Sequence, residues 1–220
     1  MPLHSRLNFV VGTRISLPAV LVLLPSLLLI TFFETARSQS EDVTVRISGE
    51  IIDMVDASGL FRNKVSIGDA VTGEYTYNFL TPDSDDNPIV GDYPHFTSPY
   101  GVVVQMGKVI FRTDPNNVNY LIELVNEPTE DFFVFHSYNN LALSKKILAP
   151  TEFTWQLNDP SGQALSSDSM QDAPKAPDLS KWEQPSGLII QGKCSLKHDR
   201  NCSEVWSFQA RITSARAVSD

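Results

Sequence analysis

The chain is short of the residues that most enzymes use. It has four histidines and two cysteines in 220 residues. It carries no G-x-S-x-G, no H-E-x-x-H and no glycine-rich phosphate loop. Elbow-type serine hydrolases, zincin proteases and P-loop enzymes are therefore not expected. Convincing helical periodicity is missing, which argues against bundles and doubly wound folds. Basic residues are scarce as well. Of the 17 Lys and Arg and 26 Asp and Glu, residues 1–38 hold Arg6, Arg14, Arg37 and Glu34, which leaves 14 against 25, or −11, for residues 39–220. A surface of that sign repels phosphate backbones, so nucleic acid is not an expected partner.

What is present begins with the N-terminus. Arg6 and Arg14 precede an uncharged run, Ile15 to Phe33, followed by Ala36 and Ser38 at small-residue spacing. That order is a basic region, an apolar region and a cleavage site, and it predicts an export signal over residues 1–38. Retention as an anchor is the alternative, since about 20 apolar residues span a bilayer. Pro18 and Pro25 interrupt the run and favour cleavage. A secreted or cell-surface location follows, with no stable membrane partner after cleavage. Residues 39–220 are long enough for one domain with a core and short for two.

In an exported chain the two cysteines, Cys194 and Cys202 in "CSLKHDRNC", read first as a disulfide closing a hairpin near its tip. His198 between them leaves a Cys–His metal site conceivable, but a fourth ligand is not nearby. "NCS" at Asn201 also fits a glycosylation sequon.

The rest alternates. "VTVRISGEI" sets Val43, Val45, Ile47 and Ile51 on one side, and "VTGEYTYNF" sets Val71, Tyr75, Tyr77 and Phe79. "YGVVVQMGKVIFRT" reads as two strands bent near Gly107. Further inward sets are Val118, Tyr120, Ile122 and Leu124, then Phe153, Trp155 and Leu157, then Trp206, Phe208, Ala210 and Ile212. "DFFVFHSY" and "GLIIQG" add shorter strands. Period two with β-branched and aromatic enrichment predicts eight or nine half-buried antiparallel strands. The expected fold is all-β: an antiparallel β-sandwich, jelly-roll-like, with long loops over Thr81–Pro99 and Asn158–Pro185. The one helix candidate is a single turn in "DLSKWEQ", capped by Asp178.

Three features could carry chemistry. "TPDSDDNPIVGDY" places Asp83, Asp85, Asp86 and Asp92 within ten residues. An EF-hand fails here, because Pro88 falls where Gly is needed and Pro94 where a bidentate Glu is needed. A calcium loop of another kind remains open, against the plainer reading of an acidic turn. Tyr93, Tyr100, Tyr138 and Trp182 sit in or beside loops, where rings can stack on sugars or plug the ends of a sandwich. Glu50, Glu74 and Glu123 have outward parity on strands, which leaves room for a two-carboxylate hydrolase, although nothing selects a pair.

Two blocks of the chain resemble a family. "SIGDAVTGEYTYNFLTPDSDDNPIVGDY" is similar to the opening of an uncharacterised family of exported bacterial proteins, with its G-D-x-x-x-G-x-[YF]-x-[YF], "TPDS" and G-x-Y. "LNDPSGQALSSD", followed by "PDL", is similar to that family's second block. The resemblance spans about residues 43–216. Many members carry a PEP-CTERM sorting tail, and "SFQARITSARAVSD" shows no such motif, so anchoring by that route is not expected. The family brings no established activity or catalytic residue. It implies an envelope or extracellular setting and an association with exopolymer. The function expected from sequence is thus a non-enzymatic surface or matrix protein with polysaccharide as its partner. The alternatives are a carbohydrate-active hydrolase and a calcium-stabilised structural module.

Overall fold

A computed structural model describes residues 41–144, 147–183, 187–194 and 205–218. Ten strands follow in chain order: β1 (Asp42–Val55), β2 (Ala70–Asn78), β3 (Val90–His95), β4 (Gly101–Met106), β5 (Val109–Arg112), β6 (Tyr120–Asn126), β7 (Asp131–Ser137), β8 (Ile147–Asp159), β9 (Gly187–Cys194) and β10 (Val205–Ala217). A 3-10 turn at Leu179–Lys181 is capped by the Asp178 carboxylate, which accepts the Ser180 amide, as the sequence predicts.

The all-β expectation holds. The strands form one antiparallel sheet in the order β3-β6-β7-β8-β9-β10-β1-β2-β4-β5, rather than two separately bonded sheets. The sheet curls, and aromatic rings show it. Tyr75 on β2 lies within 5.2–6.3 Å of Phe133 and Phe135 on β7 and Trp155 on β8, strands four and five places away in the order. Phe111 on β5 reaches Trp206 and Phe208 on β10 in the same way. The curl follows from the sequence pattern. Every second residue is large and apolar, and a sheet with one such face buries it by closing on itself. All the inward residues named from the sequence are buried except Phe79, which is half-buried.

Two differences from the expected pattern matter. The Thr81–Pro99 segment is not all loop, because it contains β3. Its inward positions are Gly91, Tyr93 and His95, so a single apolar ring carries the alternation. Pro94 is tolerated because β3 is an edge strand. The long loop after β8 starts at Pro160, where "DPSG" forms a turn with Gly162 at φ +63°. The disulfide and the sequon lie outside the described residues, since neither Cys202, Asn201 nor the side chain of Cys194 is described.

Candidate functional site

The acidic loop between β2 and β3 is organised by its own side chains. Asp83 Oδ1 accepts the amides of Asp85 and Asp92, both at 2.9 Å. Asp85 Oδ1 accepts the Asn87 amide at 2.8 Å, and the Ser84 amide donates to the Asp92 carbonyl at 2.9 Å. Asp83 and Ser84 therefore satisfy the outer edge of β3, which would otherwise present bare amides and carbonyls. Asp86 is exposed at the loop tip. Among the described residues, no three His, Cys, Asp or Glu side chains converge as they would around a metal ion.

Asp92 itself points away from the core and belongs to a different cluster. It stands opposite Glu123 in the β3–β6 register. Glu123 is opposite Val134 on β7, and the next outward pair is Leu121 with His136, which continues to Thr154 on β8. Val134 and Thr154 are only 5% and 8% exposed, although both face away from the core. Their neighbours cover them. Tyr138, just after β7, is 50% exposed, with its ring stacked on His136 at 5.6 Å and 20°. His136 Nδ1 is 2.9 Å from Thr154 Oγ1, which fixes the imidazole. Glu152 accepts from Gln191 on β9.

The electrostatics of this face have one sign. β3, β6, β7 and β8 contain no Lys or Arg. Partial burial pushes the Asp92 carboxyl up, and Asp85 and Asp83 add to the shift. Burial raises Glu123 as well, followed by the charges of Asp92 and Asp85. One oxygen of Asp92 is enclosed and has no hydrogen-bond partner. His136 is lowered by burial, with Glu152 and Asp92 acting against it. The other half of the sheet differs. There Glu74 pairs with Arg46 at 2.7 Å and Glu50 with Arg211 at 3.7 Å. Of the three outward glutamates read from sequence, only Glu123 joins a carboxylate pair.

The four aromatic candidates separate. Tyr93 and Trp182 are 2% and 6% exposed, so neither ring is open to a ligand. Tyr93 has inward parity on β3; its hydroxyl donates to the Asp168 carbonyl at 2.7 Å and accepts the Met170 amide at 3.0 Å. Tyr100 is half-buried, with its hydroxyl donating to Asp42 at 2.9 Å and its ring edge-on to His95 at 4.9 Å. Tyr138 alone of the four is exposed. No family model, curated protein or solved structure matches this chain.

The two blocks that carry the sequence resemblance do meet in space. Gly91 of the first lies against Asp168 of the second, where a Cβ would come within 2.4 Å of the Asp168 carbonyl oxygen. Asp159 of the second block accepts from the Ser161 hydroxyl and from the amides of Ser161, Gln163 and Ala164. Those donors hold its carboxyl down to about 2. Asp131, opposite Asp159 on β7, takes the Leu165 amide at 2.8 Å. Asp159 and Asp131 thus order the turn from the block itself and from β7.

Sequence reasoning missed the Asp92–Glu123 pair and the His136–Tyr138 stack. The stack had a signal, since "HSY" puts His and Tyr two apart and so on one face. The pair had none, because it depends on β3 lying beside β6, 30 residues later in the chain.

Proposed function

We propose that the protein is an exported surface or matrix domain that binds polysaccharide on the outer face of β3, β6, β7 and β8. The observation that carries this is the half-exposed Tyr138 ring, stacked on His136, on a face that also presents Asp92 and Glu123. A braced ring stacks on a sugar face at little entropic cost, and the carboxylates of Asp92 and Glu123 accept hydrogen bonds from hydroxyls or amines. A face without Lys or Arg suits neutral or amine-bearing glycans and repels anionic ones. Export is supported by the basic, apolar and small-residue order of residues 1–38. No helix among the described residues is long and apolar enough to cross a membrane. The two halves of the curled sheet would serve as the two layers of a jelly-roll-like body.

Affinity electrophoresis in gels containing neutral or amine-bearing polysaccharide tests this. Retardation is expected for the native chain, and Tyr138→Ala should weaken it by roughly 3- to 10-fold, the factor that about 1 kcal/mol of ring stacking gives. Equal migration of both proteins in every gel would rule the face out.

The opposed carboxylates favour one second reading, a hydrolase. Directly opposed residues have Cβ atoms about 5 Å apart, close enough for their carboxyl groups to take up the separation of about 5 Å that a retaining glycosidase uses. Under that reading Glu123→Gln would abolish hydrolysis and leave sugar retention in place.

A stability signature belongs to both readings. Folded pKa values raised above the ordinary 3.8 of Asp and 4.5 of Glu mean that ionising this pair opposes the fold at neutral pH. The penalty is relieved as pH falls through the raised values. Glu123→Gln is therefore expected to stabilise the protein at pH 7 by about 0.5 kcal/mol, seen as a small rise in melting temperature that vanishes in acid.

A further inference from the structure

One buried group lies outside the outer face and has a definite chemical constraint. His95 ends β3, is 3% exposed, and receives the Asn78 backbone amide on Nε2 at 2.9 Å. Asn78 ends β2. In the sheet order β3 is one end, and β2 lies third from the other. No ladder joins these strands, so the His95–Asn78 bond is a brace across the curl. Thr81 Oγ1 sits 3.0 Å from the same nitrogen, which places the start of the acidic loop on the brace.

A backbone amide can only donate. Nε2 must therefore present its lone pair, and the ring must be neutral with its proton on Nδ1. Protonating Nε2 replaces an acceptor with a donor aimed at the Asn78 N–H. The brace then breaks, leaving a buried cation facing an unpaired amide.

We propose that His95 is a pH-sensitive latch that holds β3 and the acidic loop against β2 when neutral and releases them when protonated. The groups around it allow this. From β1, Asp42 favours the protonated ring, but it already accepts from Tyr100 and Asn78. From β6, Tyr120 packs 6.0 Å away, and Tyr100 packs edge-on; neither phenol ionises below neutrality. Burial outweighs the backbone contacts with Asn78 and Tyr93 and the charge of Asp42, and sets the ring below its ordinary 6.5. The sign follows. The unfolded chain takes up the proton first, so closure is complete above pH 6.5 and weakens as pH falls toward the lowered folded value.

Opening would loosen the acidic loop, whose Asp83 holds the Asp92 amide, so acid would also disturb binding at the outer face even though β3 stays paired with β6. That consequence rests on the binding reading, whereas the latch does not. The test is NMR on the full chain, following the His95 ring and the hydrogen-exchange protection of the Asn78 amide. Protection should fall by about tenfold for each pH unit between pH 6.5 and the lower His95 titration midpoint. His95→Gln supplies an uncharged side-chain oxygen as acceptor, and should keep Asn78 protected while removing that pH dependence. Asn78 protection that persists after the ring has titrated would overturn the latch. So would an unchanged pH dependence in His95→Gln. Loss of sugar retention in acid, with Asn78 still protected, would point to the outer-face carboxylates and not to the latch.

Discussion

Trp155→Ala is expected to cost about 3–5 kcal/mol, the range for emptying a fully buried indole site. The residue is fully buried on β8 and touches rings from both sides of the curl: Tyr75 on β2, and Phe133 and Phe135 on β7. Removing it leaves a cavity between strands that no hydrogen-bond ladder joins, so ladder bonds cannot compensate there. For a domain with a total stability of about 5–15 kcal/mol, a third or more of the margin would go. Urea denaturation should show the midpoint falling with an unchanged slope. A changed slope would mean that the curl itself opens and exposes surface in the native state. Trp155→Phe should cost much less, because it keeps a ring and removes an indole N–H that has no partner.

Gly91→Ala is expected to cost about 1–3 kcal/mol. Its Cβ would lie 2.4 Å from the Asp168 carbonyl oxygen and 2.6 Å from the Tyr93 hydroxyl. Neither is the tip of a flexible side chain. The backbone around Asp168 would have to withdraw, and the Tyr93 bonds to Asp168 and Met170 would go with it. Limited proteolysis should then cut the segment after β8 faster than in the native chain. Gly187→Ala is the control, since the nearest atom to its Cβ would be Gln209 Nε2 at 3.9 Å, and it should be nearly silent. Similar effects for both variants would mean that β3 does not depend on the second block for its position.

Local signals made the strands legible. Val43, Val45 and Ile47 on β1, and Phe153, Trp155 and Leu157 on β8, declare their faces through period-two alternation. The turns were legible too, because Pro160 and Gly162 state their backbone preferences. β3 was not, since two of its three inward residues are Gly91 and His95, and neither reads as core. For Tyr93 and Trp182 the sequence offers both sugar stacking and packing, and packing is what they do, Tyr93 from an inward position on β3 and Trp182 from the end of the 3-10 turn. The candidate site was least legible, since Asp92, Glu123 and His136 come together through the β3–β6–β7 pairing. Sequence order says nothing about that adjacency.

The pairing of β1 with β10 sets the timing of folding. These are the first and last strands, and they lie side by side in the middle of the sheet, from Val45 opposite Ala217 to Val55 opposite Ser207. Until the C-terminal residues are available, β1 lacks one neighbour and the sheet is split in two. Contacts of such long sequence separation form slowly. The sheet therefore stays in two unjoined halves, β2-β4-β5 with β1 and β3-β6-β7-β8-β9, until β10 has been made and can lie between them.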